Sequence, residues 1–400
     1  MMCPQIRIKL HRKFNRYVSI IKNPEIRLDQ KRLLEDLKKF KNSEESRRFW
    51  LEMKRLDTKL TVQERCAEYV QEIAANEVGL LSIPAASTTT LENEPLLNPA
   101  QSGSEPYLFM DVDIADKFRQ FQQAVRQETN DGTLYIESSV REVLSLSSIL
   151  LLCPDQHSPL SMGIFTETVL SGLWKKGLNE CLDTTLDISD TTCMTASRAI
   201  ANVESGLQSK DEAELDLLIY GKTVDPLTRS LLRGICVGMR KLPLVAIKDK
   251  ESIGECELFN MYFDPILSSL LSNPDKNVLL RWSNVISAES GDMRPDATIS
   301  KIHQRSFGAS LGYGEVKVAR QRTDHHALCH DLLRLGIMTK DTLDQNKLEG
   351  ALSFQIHGFH VSFFMTSLRH DGLYIMQEIG EVTFPRSLEE LATFVLRAPG

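Results

Sequence analysis

The chain of 400 residues lacks any run of about 18 consecutive apolar residues, the length that a membrane-spanning helix needs. Its first residues also lack the apolar segment of a secretory signal peptide. The 21 Gly and 15 Pro, beside 42% hydrophobic and 25% charged residues, match neither a collagen nor a disordered tail. We therefore expect globular domains, with neither secretion nor membrane insertion.

Sequence signatures of several chemistries are also missing. The eight cysteines form no CxxC pair and no zinc-finger spacing, and no GxSxG, HExxH or GxGxxG motif occurs. Cys153, Cys181 and Cys236 lie in apolar, helix-like surroundings, so we expect buried free thiols there. Free thiols favour a reducing, intracellular compartment, and we expect the nucleus rather than the cytoplasm.

Charge is unevenly distributed along the chain. Residues 1–60 hold 17 Lys/Arg against 8 Asp/Glu, although the whole chain has a formal net charge of −7. A basic leading segment on an acidic body can bind nucleic acid or another polyanion. Because residues 25–60 interleave both signs, a solvated helix surface is the favoured alternative for this segment.

Composition and periodicity divide the chain into four regions. We predict a basic helical N-terminal region over 1–82, a linker rich in Pro, Ser and Thr over 83–106, a mainly helical middle region over 107–240, and an α/β domain over 241–400. Within the middle region, 112–127, 139–152, 163–182 and 226–240 are predicted helices, and 213–220 is a predicted strand.

The last 160 residues change from helical patterns to alternating helices and strands. The predicted order is helix, three strands, helix, two strands and a last helix, which indicates a mixed central sheet flanked by helices. The predicted elements are 250–272, 277–287, 294–299, 310–319, 325–338, 354–367, 373–384 and 387–397. Ser387 is the expected N-cap of the last helix.

Two of these strands carry charged residues in a suggestive pattern. Side chains alternate between the two faces of a strand, so Glu315 and Lys317 share one face, and Val316 and Val318 share the other. The valine face can bury against a helix while the charged face meets solvent or a cleft. If the strand that follows Asp296 pairs beside this one, two carboxylates and an ammonium converge.

Phosphodiester hydrolysis has a use for such a trio. Carboxylate oxygens hold Mg²⁺ or Mn²⁺, which prefer hard oxygen ligands, and the ion polarises the phosphate and activates water. A lysine beside them can orient or deprotonate the attacking water, or offset the charge that develops on the phosphate.

Residues 250–384 resemble the PD-(D/E)XK nuclease superfamily, which has a restriction-endonuclease-like core. Pro295-Asp296 matches the first motif element and Glu315-Val316-Lys317 matches the second. The resemblance implies a metal-dependent nuclease acting on nucleic acid, with DNA as the expected substrate and Mg²⁺ or Mn²⁺ as cofactor. It implies Asp296, Glu315 and Val316 as metal ligands and Lys317 as a catalytic residue.

The same family places an acidic residue on the helix before the first core strand. Glu255 is the first choice for this catalytic position because it lies at the edge of the apolar stripe, and Glu257 is the second choice. The helix after the third strand matches the next element of the family. Polar residues expected near the cleft are Arg320, Gln321, Arg322, His325 and His326.

Two other interpretations remain open at this point. The protein can be a catalytically inactive member of the fold that binds nucleic acid or serves as a scaffold, because fold does not secure activity. Alternatively, the strand charges form a solvated salt pair of little energetic value. A zinc site at His326 and His330, beside His325 and Cys329, lacks a further ligand placed by sequence, so structural or solvent-facing histidines are favoured.

Overall fold

A computed structural model describes residues 106–130, 135–182, 188–249, 252–287, 289–319 and 325–396. The predicted basic region 1–82 and the predicted linker, apart from its last residue, lie outside the described residues. No helix in the described ranges is both long and apolar enough to cross a membrane.

The described chain begins with a short hairpin and a series of helices that one strand interrupts. These elements are β1 (Leu108–Phe109), β2 (Val112–Asp113), α1 (Ile114–Asn130), α2 (Ile136–Leu146), β3 (Ile149–Leu152), α3 (Pro159–Phe165), α4 (Glu167–Cys181), α5 (Asp190–Glu204), α6 (Lys210–Tyr220) and α7 (Pro226–Lys241).

The remainder alternates helices with longer strands. Its elements are α8 (Glu255–Glu257), a π-helical segment (Leu258–Phe263), α9 (Asp264–Leu271), a 3₁₀ turn (Pro274–Lys276), β4 (Val278–Arg281), β5 (Ala297–His303), β6 (Ser306–Lys317), α10 (His325–Asn346), β7 (Ala351–His357), β8 (His360–His370), β9 (Leu373–Thr383) and α11 (Leu388–Leu396).

Seven strands form one mixed sheet in the order β3-β9-β8-β7-β6-β5-β4. The pairs β3–β9 and β6–β7 are parallel, and the other four are antiparallel. Buried apolar residues of α5, α7, α9 and α11 pack on one face, which α1, α3 and α4 continue at the β3 edge, and α2 and α10 cover the opposite face. The predicted α/β class with a mixed sheet flanked by helices is confirmed.

Strand β3 differs from the sequence prediction of a helix over 139–152. Helix α2 ends at Leu146, and the four buried residues of β3 pair in parallel with β9. A short, continuous apolar run has the same pattern in a buried strand and in a buried helix, so periodicity could not separate them. The sheet therefore draws strands from both sides of the boundary that we predicted at residue 241.

Other elements differ in type or extent. The predicted strand 213–220 is wrong, because this segment is helix α6, which a capping box between Ser209 and Glu212 initiates. The predicted strand 354–367 is two antiparallel strands that turn at Gly358, whose φ of +59° suits glycine. The predicted helix 226–240 and the Ser387 cap are confirmed: Glu390 N–H donates to Ser387 Oγ at 3.3 Å.

A glycine on β6 leaves room for the ring of Phe354 beside the site described below. A Cβ at position 314 would overlap the ring of Phe354. We expect Gly314→Ala to lower the free energy of unfolding by about 1–3 kcal/mol, the usual cost of overpacking a core. Urea unfolding measures the change in the free energy of unfolding. Gly380→Ala is the control, because Gly380 is an exposed residue of β9 and a Cβ there has nothing within 4 Å. Equal stabilities would show that the Phe354 ring can move aside without cost.

Candidate functional site

The antiparallel pairing of β5 with β6 places two of the predicted site residues side by side. Ala297 is the register partner of Gly314, so Asp296 and Glu315 lie opposite each other just beyond that pair. Asp296 Oδ2 accepts a hydrogen bond of 2.8 Å from the Val316 N–H, and Asn284 Nδ2 lies 3.5 Å from Oδ1. The Asp296 carboxylate, just ahead of β5, therefore reaches the backbone of β6 at the residue that follows Glu315.

The side chains of β6 alternate as expected, but their surroundings differ from the expectation. Val316 is buried in the core on one face, whereas Glu315 and Lys317 lie on the face that α10 covers. Glu315 is only 1% exposed, while the side chain of Lys317 keeps 31% of its surface. The expectation that the charged face is open to solvent or a cleft is therefore wrong for Glu315, because α10 packs over it.

Helix α10 contributes two charged residues that the sequence analysis did not select. Asp331 Oδ2 lies 3.2 Å from Lys317 Nζ, and Arg334 Nη1 lies 3.0 Å from Glu315 Oε1 and 3.5 Å from Asp331 Oδ1. Asp331 follows Leu328 by three residues and precedes Leu335 by four, so it interrupts the apolar stripe of the helix. A buried acidic residue on an apolar stripe is the signal that could have identified it.

Glu315 is buried with little compensation for its charge. Neither of its carboxylate oxygens makes a hydrogen bond of acceptable geometry, although Arg334 is close to one of them. The pKa of Glu315 is raised to about 9. Burial is the largest cause and the Asp331 and Asp296 charges add to it, whereas Arg334 and Lys317 oppose it. In the absence of another cation, the carboxyl of Glu315 is therefore protonated at neutral pH.

The neighbouring acid and base respond to the same environment. Burial raises the pKa of Asp331, against the opposing influence of Lys317 and Arg334. Burial alone would lower the pKa of Lys317, but the carboxylates of Asp331 and Asp296 outweigh it, and that pKa is raised above its usual value. Lys317 is consequently an ammonium at neutral pH, which suits charge stabilisation better than proton abstraction.

Glu255 is exposed at the start of α8, which begins five residues later than predicted. Its charge is the smallest of those that raise the pKa of Lys317. The second choice, Glu257, instead contributes to the raised pKa of Tyr262. Of the two acidic residues predicted on this helix, the electrostatics favour Glu255.

The histidines at the start of α10 form local contacts. The rings of His326 and His330 stack with centroids 6.2 Å apart, and Cys329 Sγ lies 3.5 Å from His325 Nδ1. The other polar residues expected there, which are Arg320, Gln321 and Arg322, lie outside the described residues.

The oxygen atoms of this site fit a hard divalent cation by their chemistry. Glu315 supplies two oxygens without hydrogen bonds, and Asp296 supplies a half-exposed carboxylate. Val316 has only its carbonyl oxygen to offer, which Lys317 Nζ approaches to 3.2 Å. Within the described ranges, no group of three or more His, Cys, Asp or Glu side chains is arranged to hold a metal.

Two cavities lie outside this cluster. A polar cavity of about 320 Å³ is lined by Leu328 of α10 and by Gln355, His357, His360, Ser362 and Glu381. It adjoins the cluster, because Gln355 and His357 are the register partners of Glu315 and Lys317 on β7. A mostly apolar cavity of about 1280 Å³, among α5, α7, α9 and α11, contains none of the predicted site residues.

Comparison with known proteins adds no relative. No family model, no curated protein and no solved structure matches this chain. The resemblance of residues 250–384 to the nuclease superfamily therefore rests on the motif residues of the sequence.

Proposed function

We propose that this protein hydrolyses phosphodiester bonds of nucleic acid, with DNA as the expected substrate, in a metal-dependent reaction at the Asp296, Glu315 and Lys317 cluster. The observation that carries the proposal is the pairing of β5 with β6, which places Asp296 opposite Glu315 and leaves the buried oxygens of Glu315 without hydrogen bonds. Buried polar atoms are normally satisfied, and the exceptions are concentrated at functional sites.

The charge balance of the cluster supports a divalent ligand. Glu255, Asp296, Glu315 and Asp331 supply four carboxyl groups, whereas Lys317 and Arg334 supply two positive charges. Mutual repulsion and burial hold the pKa values of Glu315 and Asp331 high, and each added positive charge would relieve this. A divalent cation would bring the fully ionised cluster to neutrality.

Asp296, Glu315 and the Val316 carbonyl would hold Mg²⁺ or Mn²⁺, which would supply an activated water and polarise the phosphate. Lys317 is held as a cation by Asp331 and Asp296, in a position to offset the charge that accumulates on the phosphate. Glu255, an exposed residue at the start of α8 whose charge acts on Lys317, would orient the attacking water.

The order of elements around the site also supports a restriction-endonuclease-like core. Helices α8 and α9 precede the three strands β4, β5 and β6, and α10 and then β7 follow them. This is the arrangement implied by the resemblance, in which a helix carries an acidic residue before the first strand and another helix follows the third.

Cleavage assays test the proposal directly. The full chain should cut plasmid or linear DNA with Mg²⁺ or Mn²⁺ and should leave it intact with a chelator, and an RNA substrate in parallel assigns the preference. Asp296→Asn should lower the rate at least ~100-fold, because one charged oxygen ligand is lost. Asp292→Asn, an exposed residue of the preceding loop, is the matched control. Absence of cleavage with every divalent ion, or full activity of Asp296→Asn, would contradict the proposal.

Metal-dependent melting separates ligand binding from catalysis. The asparagine of Asp296→Asn can still accept the hydrogen bond from Val316 N–H, so the metal-free variant should be as stable as the wild type or slightly more stable. Mn²⁺ binds only the folded site and should raise the wild-type melting temperature, and the variant should lose most of that rise. Equal Mn²⁺-induced shifts in the two proteins would show that Asp296 is not a ligand.

A second candidate function is a nuclease-fold protein that binds nucleic acid or acts as a scaffold without cleaving. One observation favours it: Arg334 already places a positive charge between Glu315 and Asp331. Under this hypothesis the chain would retain DNA in a gel-shift assay, with an affinity that falls as salt rises, and no divalent ion would start cleavage.

A further inference from the structure

We propose that Arg334 is the resident counter-cation of the site and that its guanidinium competes with a divalent cation for Glu315 and Asp331. The inference deepens the proposed function in one respect only, since it takes a divalent cation as the ligand of this cluster. It adds Asp331 to the carboxylates that such an ion would meet.

The geometry of one nitrogen atom carries the proposal. Arg334 Nη1 lies 3.0 Å from Glu315 Oε1 and 3.5 Å from Asp331 Oδ1, so a single cationic group stands between two carboxyls that are each less than 5% exposed. An arginine remains charged at every accessible pH. The position that a shared ion would occupy between these carboxyls is therefore filled in the absence of metal.

The contact between Arg334 and Glu315 is one that an ion can replace. Arginine and a carboxylate usually form two parallel hydrogen bonds, but here neither oxygen of Glu315 makes a hydrogen bond of acceptable geometry. The guanidinium charge thus faces a carboxyl that is protonated at neutral pH, and a doubly charged ion that displaces the proton interacts more strongly with the same oxygens. The unsatisfied oxygens of Glu315 are the second, independent sign of a missing ligand.

Arg334 also has a second partner, the Arg294 carbonyl, that can hold its side chain when an ion displaces it from the carboxylates. Its Nη2 donates a hydrogen bond of 2.6 Å to the carbonyl of Arg294, two residues before Asp296, and its side chain is 21% exposed. Asp331 is held separately, because its second oxygen faces Lys317 Nζ at 3.2 Å. Loss of the guanidinium from the cluster would therefore leave both the Asp296 loop and Lys317 in place.

The test is a Mn²⁺ titration of the full chain, followed by electron paramagnetic resonance of the free ion or by calorimetry. Arg334→Gln removes the charge and keeps a polar side chain with good helix propensity. We expect Mn²⁺ to bind this variant at least about tenfold more tightly than wild type, because the competing cation is gone. Arg369→Met is the matched control, since Arg369 is similarly half-buried and pairs with Glu180 at 2.7 Å, away from the cluster.

Each outcome of the Mn²⁺ titration supports or overturns the inference, whereas DNA cleavage tests the proposed function separately. Tighter Mn²⁺ binding by Arg334→Gln than by wild type supports the inference even if no DNA is cut. Mn²⁺ binding by the variant and none by the wild type would mean that the arginine has replaced the metal in the wild type. Equal or weaker binding to the variant would overturn the inference while leaving metal-dependent cleavage possible through Asp296 and Glu315. Absence of binding to both proteins would overturn it as well.

A second variant guards against misfolding of the first. Arg334→Met preserves the helix propensity and the aliphatic part of the side chain without its charge and its hydrogen bonds. It should shift the Mn²⁺ affinity in the same direction as Arg334→Gln. If Arg334 served only to hold the Arg294 carbonyl, both variants would instead bind Mn²⁺ more weakly than wild type, which would contradict competition.

Discussion

Lys317→Met is expected to lower metal-dependent cleavage at least about 100-fold while leaving the Mn²⁺-induced rise in melting temperature largely intact. Lys317 is not a proposed metal ligand, so its loss should not remove ion binding. Its pKa is raised by Asp331 and Asp296, against the effect of burial, so it acts as a fixed positive charge rather than as a base. Methionine keeps the aliphatic length and removes that charge.

Rate and melting measurements on the same protein samples check this separation of roles. Lys340→Met is the control, because Lys340 lies on α10 and pairs with Asp344 at 2.9 Å, outside the cluster. A lysine that served as the general base would impose a rate increase as pH rises towards its pKa, and a charge-stabilising lysine would not. Undiminished cleavage by Lys317→Met would show that its charge is not used in the reaction.

Glu315→Gln is expected to stabilise the metal-free protein at pH 8 by an amount on the order of 1–3 kcal/mol, and to have little effect near pH 4. The carboxyl titrates near 4.5 in the unfolded chain and at about 9 in the folded protein. Below pH 4.5 it is protonated in both states, so substitution changes little. Between pH 4.5 and 9 the unfolded chain releases the proton and the folded protein retains it, so wild-type stability falls as pH rises.

Urea unfolding across this pH range gives the comparison, because glutamine cannot titrate and its curve lacks the decline. Glu289→Gln is a control of opposite sign. Glu289 is also buried, but it accepts hydrogen bonds from Ser310 and Asn346, which outweigh burial and lower its pKa. Glu289→Gln should therefore destabilise at neutral pH, and its effect should fade as pH falls. Parallel pH profiles for wild type and Glu315→Gln would contradict the raised pKa.

The alternation of β6 and the position of Asp296 ahead of β5 could be predicted because both depend on local, repeating geometry. A period of two places Glu315 and Lys317 on the same face in any strand, whatever covers it. Strands β5 and β6 are joined by a short connection and pair with each other, which brings Asp296 beside Glu315. These features follow from backbone geometry, which does not depend on distant parts of the chain.

Burial of the charged face could not be predicted in the same way. Asp331 and Arg334 lie three residues apart, a spacing that is typical of an exposed ion pair on a helix. Only the packing of α10 over β6 and β7 turns this pair inwards, places Arg334 against Glu315 and raises the pKa of that carboxyl. Desolvation depends on which element covers a residue, and that information is not present in local spacing.

The amino-acid sequence by itself determined the α/β class, the order of helix, three strands and helix between residues 250 and 338, and the motif residues at Asp296, Glu315 and Lys317. The tertiary structure decided that β3, far away in the chain, joins the same sheet through β9, and that α10 adds Asp331 and Arg334 to the cluster. The physical reason is the separation along the chain over which each effect acts. Periodicity and strand alternation report on neighbours in the chain, whereas burial and electrostatic coupling arise between segments that meet only when the chain folds.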